Sequence, residues 1–296
     1  MTLDVVAPKP VELDEYLAFV SHDVDPKCRD SVIASATMLQ GLSQNKRLLM
    51  ETLHRDLISS AEGHDSRFYS AHSFVLGSAC GMTVRANIWP TVEMFKNSAH
   101  RQSHVDRVYA YNYPHDHNFD FLTVGWFGPG YVTDIYEYDF ESVSGFDGEE
   151  TELRFLERTS LCDGKIMLFR EGRDVHVQYP PNEISVSLNL LVRTPLTAIR
   201  EQFIFDIGNR RIATMATGSD VARTVLAVRF TAVLGDKSSM EVLCRLAHES
   251  MSGRVRASAF EAMLAIEPTV KDEVVRLAAN DTSPHVKRFI SSMAQS

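Results

Sequence analysis

The middle of the chain constrains the fold most. Between residues 66 and 205 the sequence breaks into short runs rich in β-branched and aromatic residues: Phe74–Leu76, Val84–Trp89, Val108–Tyr113, Phe121–Trp126, Tyr131–Tyr138, Lys165–Phe169, Val175–Tyr179 and Ile184–Val192. Gly, Pro and Asp separate them, as at Gly77, Pro90, Gly128-Pro129-Gly130, Asp147-Gly148, Asp163-Gly164 and Pro180-Pro181. About eight strands with turn signals between them and almost no helical period predict a sandwich or barrel.

Both flanks read as helix. Val11, Leu13, Tyr16, Leu17 and Val20, then Val32, Ile33, Met38, Leu39, Leu42, Leu48, Leu49 and Leu53, recur near helical spacing, with a break expected around Gly41 and Ser43-Gln44-Asn45. In the last part, Leu243-Cys-Arg-Leu246-Ala247 recurs 31 residues later as Val274-Val-Arg-Leu277-Ala278, and Val255-Arg256 recurs at the same offset as Val286-Lys287. A period near 30 with paired helices suggests stacked hairpins that bury their faces on one another, and it resembles HEAT-type repeats. The expected organisation is α+β: a helical segment over 1–65, a β-barrel over 66–205 and a helical array over 206–296.

Charge narrows the partners. With 30 Lys+Arg against 39 Asp+Glu the formal charge is −9, a poor footprint for nucleic acid or an anionic membrane. No apolar run approaches the ~20 residues of a membrane span, and residues 1–10 do not read as a secretory signal. Cys28, Cys80, Cys162 and Cys244 form neither a CxxC pair nor a dense framework, so they read as buried or half-buried thiols in a reducing cytoplasm.

Eight of the histidines (His22, His54, His64, His72, His100, His104, His248 and His285) sit beside polar residues and read as surface or packing groups. His115 and His117 differ. They stand two apart in a strand-like stretch, Tyr113-Pro-His115-Asp-His117, so both imidazoles point to one side. Two neutral imidazoles on one face are donors for a first-row divalent metal, and His176 in Val175-His176-Val177 offers a third.

These residues resemble the cupin superfamily, a small β-barrel whose first motif carries His-x-His and whose second carries one further His. Pro114-His115-Asp116-His117 matches the first motif; Gly164-x5-Arg170-Glu171-Gly172-x3-His176 approximates the second, with Arg170 where the family has Pro and one residue more before the His. Many cupins place a Glu four or five residues after the second His; here those positions are Phe121 and Leu122. Asp116 and Asp120 lie at odd offsets and turn away in a regular strand. The resemblance therefore implies a metal set of His115, His117 and His176, as in the three-His non-haem iron branch that includes thiol dioxygenases. That branch carries Ser-x-His-x-Tyr after the third His, and this chain has Ser187-Leu188-Asn189-Leu190-Leu191.

Around the metal, Tyr109, Tyr111 and Tyr113 share parity with the two histidines. Ser185, Ser187, Asn189 and Arg193 share a face opposite Ile184, Val186, Leu188 and Leu190; either set fits the barrel interior. Arg85 is positioned to clamp a carboxylate. The substrate-binding set expected from this reading is Arg85, Tyr109, Tyr111, Tyr113, Ser187, Asn189 and Arg193. Gly125 to Tyr131 reads as a glycine-rich hairpin turn, since it lacks the Lys and following helix of a phosphate loop. Asp134 to Glu157 reads as a solvated acidic hairpin. The resemblance implies an Fe(II)-dependent oxygenase, using O2 and a small polar, amino-acid-derived metabolite without 2-oxoglutarate, although other divalent metals suit the same ligands. The alternatives are a metal-dependent isomerase or lyase and a ligand-sensing cupin whose helical array contacts a protein partner or a second copy.

Overall fold

The computed structural model describes residues 1–6, 9–63, 68–70, 72–95 and 101–294, with side chains described throughout except at 68–70 and 101–104. His64, His100, the expected 65/66 boundary and the side chain of His104 lie outside that description. The chain is mixed α/β and divides into two compact units: Met1–Phe140 with Glu150–Thr194 and Ile204–Arg211, and Glu141–Glu149 with Pro195–Phe203 and Ile212–Ser296.

The first unit begins with β1 (Thr2–Leu3) and helices α1 (Leu13–Asp23), α2 (Arg29–Ala34), α3 (Ala36–Gln44) and α4 (Lys46–Ala61). The break between α3 and α4 falls at Asn45, whose side chain caps α4 by accepting from the Leu48 amide at 3.2 Å. Then come β2 (Phe68–Ser70), β3 (Ser73–Ala79), β4 (Met82–Trp89), α5 (Arg101–Tyr109), β5 (Asp120–Phe127), β6 (Val132–Glu137), β7 (Arg154–Ser160), β8 (Ile166–Phe169), β9 (Asp174–Tyr179) and β10 (Ser185–Val192). One sheet runs β1-β8-β5-β10-β4-β3-β2 and a second runs β7-β6-β9. The pairs in both are antiparallel.

Period-two alternation divides the large sheet into two faces. Val84 and Ala86 of β4, Leu122, Val124 and Trp126 of β5, Leu168 of β8 and Val186, Leu188 and Leu190 of β10 pack with Tyr16, Val20, Val32, Leu39 and Leu42 of the helices. The opposite face gathers Trp89, Phe121, Met167, Phe169 and Leu191 with Tyr111, Tyr131 and Ile135. Ser187 and Asn189 belong to this second face: Trp89 Nε1 donates to Ser187 Oγ at 2.9 Å and the Thr123 hydroxyl donates to Asn189 Oδ1 at 2.6 Å. Val186, Leu188 and Leu190 of β10 therefore turn to the helices, and Ser187 and Asn189 turn with Leu191 to the inner aromatic layer.

Three expectations are corrected. The run Val108–Tyr113 is not a strand: α5 continues to Tyr109, and Ala110 and Asn112 take positive φ of 52° and 60°, which breaks any ladder. Gly125 lies within β5, and only Gly128 and Gly130, at φ 82° and 76°, form the turn. Cys28, Cys80 and Cys162 are exposed rather than buried, and Cys244 is intermediate. The acidic run supplies β6, which pairs with β7 by setting Asp134 opposite Arg158. No helix among the described residues is long and apolar enough to cross a membrane.

After β11 (Phe203–Asp206) and β12 (Arg211–Met215), the second unit continues with α6 (Asp220–Leu234), α7 (Met240–Glu249), α8 (Gly253–Ile266), α9 (Lys271–Ala278) and α10 (Pro284–Met293). The pair α7–α8 recurs as α9–α10. Its buried positions recur too: Leu243 as Val274, Ala247 as Ala278, and Val255 as Val286. Ser252 and Ser283 cap α8 and α10 by accepting from the amides of Val255 and His285.

Candidate metal centre

His176 is set by a regular strand. It lies on β9 opposite Ile135 of β6 and is 2% exposed. His115 joins the other edge of β9 by a single antiparallel bridge, its amide donating to His176 O at 3.1 Å and the His176 amide to His115 O at 2.9 Å. His117 follows two residues later, and the Gly172 amide donates to His117 O at 2.8 Å.

The three rings converge. His117 Nε2 stands 3.0 Å from His176 Nε2, which stands 3.1 Å from His115 Nε2, and the three ligand atoms lie within 4.8 Å of one another. Nitrogens holding one ion at about 2.1 Å and near right angles would be about 3.0 Å apart, so the His117–His176 and His176–His115 spacings each suit two imidazoles on one divalent metal. His115 Nδ1 donates to Tyr113 O at 2.8 Å, which leaves Nε2 with its lone pair free for a metal. The Nδ1 atoms of His117 and His176 are buried without a partner among the described residues, so only one of the three rings has its tautomer fixed from outside.

Burial favours the neutral, ligating form of all three rings. Desolvation lowers the pKa of each below the ordinary histidine value. At His117 the neighbouring His115 and the Arg85 guanidinium push the same way; at His176 the other two histidines do.

Aromatic rings wall the cluster, and sequence reasoning did not find them. Phe121 stands edge-on to His117 at 4.7 Å and stacks on Phe169 at 4.8 Å; Phe169 lies 4.4 Å from His176, and Phe119 lies 5.0 Å from His117. Phe121 is the fourth residue after His117, the place at which a carboxylate ligand was sought. That offset was the available signal: even parity from a ligand puts a side chain beside it.

Neither nearby aspartate is free to ligate. Asp116 is fully buried and accepts from the Tyr138 hydroxyl at 2.5 Å. Asp120 accepts from Arg29 Nε at 2.7 Å and Nη2 at 3.0 Å, and from the Glu171 amide at 2.6 Å. Arg170 is likewise committed, to Asp174 and Glu137.

The other expected residues divide. Arg85 on β4 is half-buried and stands opposite Asn189 of β10, on the inner face of the sheet. Tyr111 is buried, donates its hydroxyl to Pro90 O at 2.9 Å and stacks on Tyr109 at 5.6 Å. Tyr113 contributes its carbonyl to His115. Ser187 and Asn189 are bonded within the inner face as described. Arg193 is exposed beyond the end of β10, where its amide donates to Gly81 O at 3.2 Å, rather than enclosed with the histidines.

No family model and no curated protein matches the chain. Among solved structures, the chain is similar to a hydroquinone 1,2-dioxygenase in complex with Cd2+ and 4-hydroxybenzonitrile, with 14% identity over 44% of this chain and 68% of that one and a TM-score of 0.25. It is similar to a salicylate 1,2-dioxygenase from Pseudaminobacter salicylatoxidans at 8% identity, over 49% of this chain and 33% of that one, with a TM-score of 0.26. A cupin domain from Bordetella pertussis is matched at 13% identity over 42% of this chain and 95% of that one, with a TM-score of 0.24. These likenesses are too slight to assign a family.

Proposed function

We propose that the first unit is a cupin-type metal domain and that the protein is a cytoplasmic, Fe(II)-dependent oxygenase of a small anionic metabolite. The observation that carries this reading is the convergence of three imidazole Nε2 atoms, two contacts of which are 3.0 and 3.1 Å. When bound, the iron would supply sites for O2 and for a chelating substrate.

The residues of the chain define what enters. Three neutral imidazoles leave the full charge of a divalent ion uncompensated, and Arg85 adds a cation beside His117. Both favour a substrate bearing a carboxylate. The rings of Phe119, Phe121 and Phe169 exclude water from one side of the ligands and favour an apolar or planar body beyond that carboxylate. With no carboxylate among the metal ligands, turnover is expected without 2-oxoglutarate, the electrons coming from the substrate or an external reductant. The helical hairpins of the second unit suit a HEAT-like role as a structural or partner-binding element.

The test begins with elemental analysis of untagged protein and proceeds to oxygen uptake by the iron-loaded enzyme against amino-acid-derived and aromatic carboxylates, with and without 2-oxoglutarate. Iron at one per chain and uptake independent of 2-oxoglutarate are expected. Strict dependence on 2-oxoglutarate with stoichiometric succinate release would overturn the assignment. Stoichiometric metal with substrate conversion but no oxygen uptake would move the reaction to isomerisation or elimination, in which the metal is a Lewis acid.

A further inference from the structure

The second unit contains a cavity of its own, about 350 Å³ in volume, along a groove between α8 and α10 with α6 at its side. Arg254 lies at the start of α8 and His285 at the start of α10, and the 31-residue repeat makes these equivalent positions. Both address one carboxylate. Arg254 Nη2 donates to Glu201 Oε2 at 2.8 Å, and His285 Nε2 lies 3.8 Å from Glu201 Oε1.

That pairing leaves an excess of positive charge in the groove. Arg229 of α6 and Arg288 of α10 also line it, and neither has a carboxylate partner among the described residues. Arg256, two residues after Arg254 on α8, shows the contrast: it is engaged by Asp281 at 2.6 and 2.8 Å and by the Ser250 carbonyl at 2.7 Å. Arg288 is also held ready. Its guanidinium lies 4.7 Å above the ring of Phe146, whose edge meets His285 at 4.5 Å. A cation fixed on an aromatic face loses less rotamer freedom when it binds than one waving in solvent. Against these stands one lining carboxylate, Glu261.

Three guanidiniums from three helices around a cavity of ligand size form a receptor for planar or tetrahedral oxyanions. We infer that this groove binds a small oxyanionic ligand, carrying a phosphate or carboxylate group, on Arg229, Arg254 and Arg288. Arg254 anchors the wall through Glu201, and Arg229 and Arg288 supply the charge that remains to be neutralised. The cavity's size limits the ligand to a small metabolite and gives the helical unit a recognition role of its own, in a chain whose overall charge repels anions.

The experiment is isothermal titration calorimetry of the full chain with inorganic phosphate and, separately, succinate. Saturable binding of at least one probe is expected, and the two arms tell a phosphate site from a carboxylate site. The double variant R229Q/R288Q keeps the Arg254–Glu201 pair and should weaken binding by about tenfold or more. E261Q should tighten it, a change of opposite sign that loss of structure would not produce. R223Q, an exposed arginine of α6 paired with Asp220 and outside the groove, should bind as the wild type does. If neither probe saturates, or if the double variant binds undiminished because the probe sits elsewhere, the metal centre included, the assignment is overturned.

Discussion

His115 and His176 hold each other twice, through reciprocal backbone hydrogen bonds of 3.1 and 2.9 Å and through imidazole Nε2 atoms 3.1 Å apart. The backbone bridge fixes where both rings start, so the ligand pair exists before any ion arrives. His176→Ala should leave far-ultraviolet circular dichroism close to wild type, because the bridge uses only main-chain atoms. It should weaken metal binding by more than the ~10–100-fold typical of changing a ligand's outer partner. His115→Ala and His117→Ala should do the same. Full metal occupancy in His176→Ala would break the three-histidine set.

Asp120 follows His117 by three residues, an offset that turns it from the ligand face, and its two oxygens serve Arg29 and the Glu171 amide. Asp120→Asn should therefore leave metal stoichiometry unchanged. It should cost about 1–2 kcal/mol of stability, since charge-assisted bonds are worth up to ~3 kcal/mol and Arg29 is 43% exposed and screened by water. Chemical denaturation alongside metal analysis checks both halves, and loss of metal with stability intact would return Asp120 to the ligand set.

That aspartate also shows what a sequence can convey about this site. The i, i+2 spacing of His115 and His117 was legible because strand geometry makes it a same-side pair, and the late His176 could be sought in any later strand. Arg29 as the partner of Asp120 was not legible: the two are 91 residues apart and nothing local to either names the other. The phenylalanine wall was hidden for another reason. Phe121 and Phe169 look like ordinary strand residues, and only the register Phe121↔Phe169 and the approach of β9 make them neighbours of the ligands. The helix α5 was missed because its aromatic and β-branched end, Val108-Tyr109, continues into Tyr111 and Tyr113 with strand-like spacing; positive φ at Ala110 and Asn112 undoes that spacing.

His72 provides a pH signature. Burial, reinforced by the Arg85 charge, lowers its pKa from 6.5 to about 4, and its ring packs 5.4 Å from Trp89 and 5.0 Å from Tyr109. A folded pKa below the unfolded one means that the unfolded chain binds more protons between these values. The stability contributed by neutral His72 is fully present above pH 6.5 and is lost as pH falls toward 4. His72→Gln removes this titration, so urea midpoints measured from pH 7 down to 4 should fall less steeply in the variant. Parallel slopes would show that His72 titrates normally.

Gly125 tests how closely the large sheet is approached at the end of β5. A Cβ built there would lie 2.0 Å from the carbonyl oxygen of Cys162, a backbone atom that cannot rotate away. The contact is tight because both chains are bonded there: the Gly125 amide donates to Lys165 O and the Gly164 amide to Gly125 O, each at 2.9 Å. Gly125→Ala must push these strands apart and break at least one of those bonds, so it should cost at least the ~1–3 kcal/mol of an overpacked core. Gly218 is the control. Nothing lies within 4 Å of its Cβ position and its φ is not positive, so Gly218→Ala should be neutral or stabilise by up to ~1 kcal/mol through the unfolded chain. Thermal melts of the two variants would separate the outcomes, and a Gly125→Ala protein as stable as wild type would mean that β5 and the Cys162 segment are not held in this register.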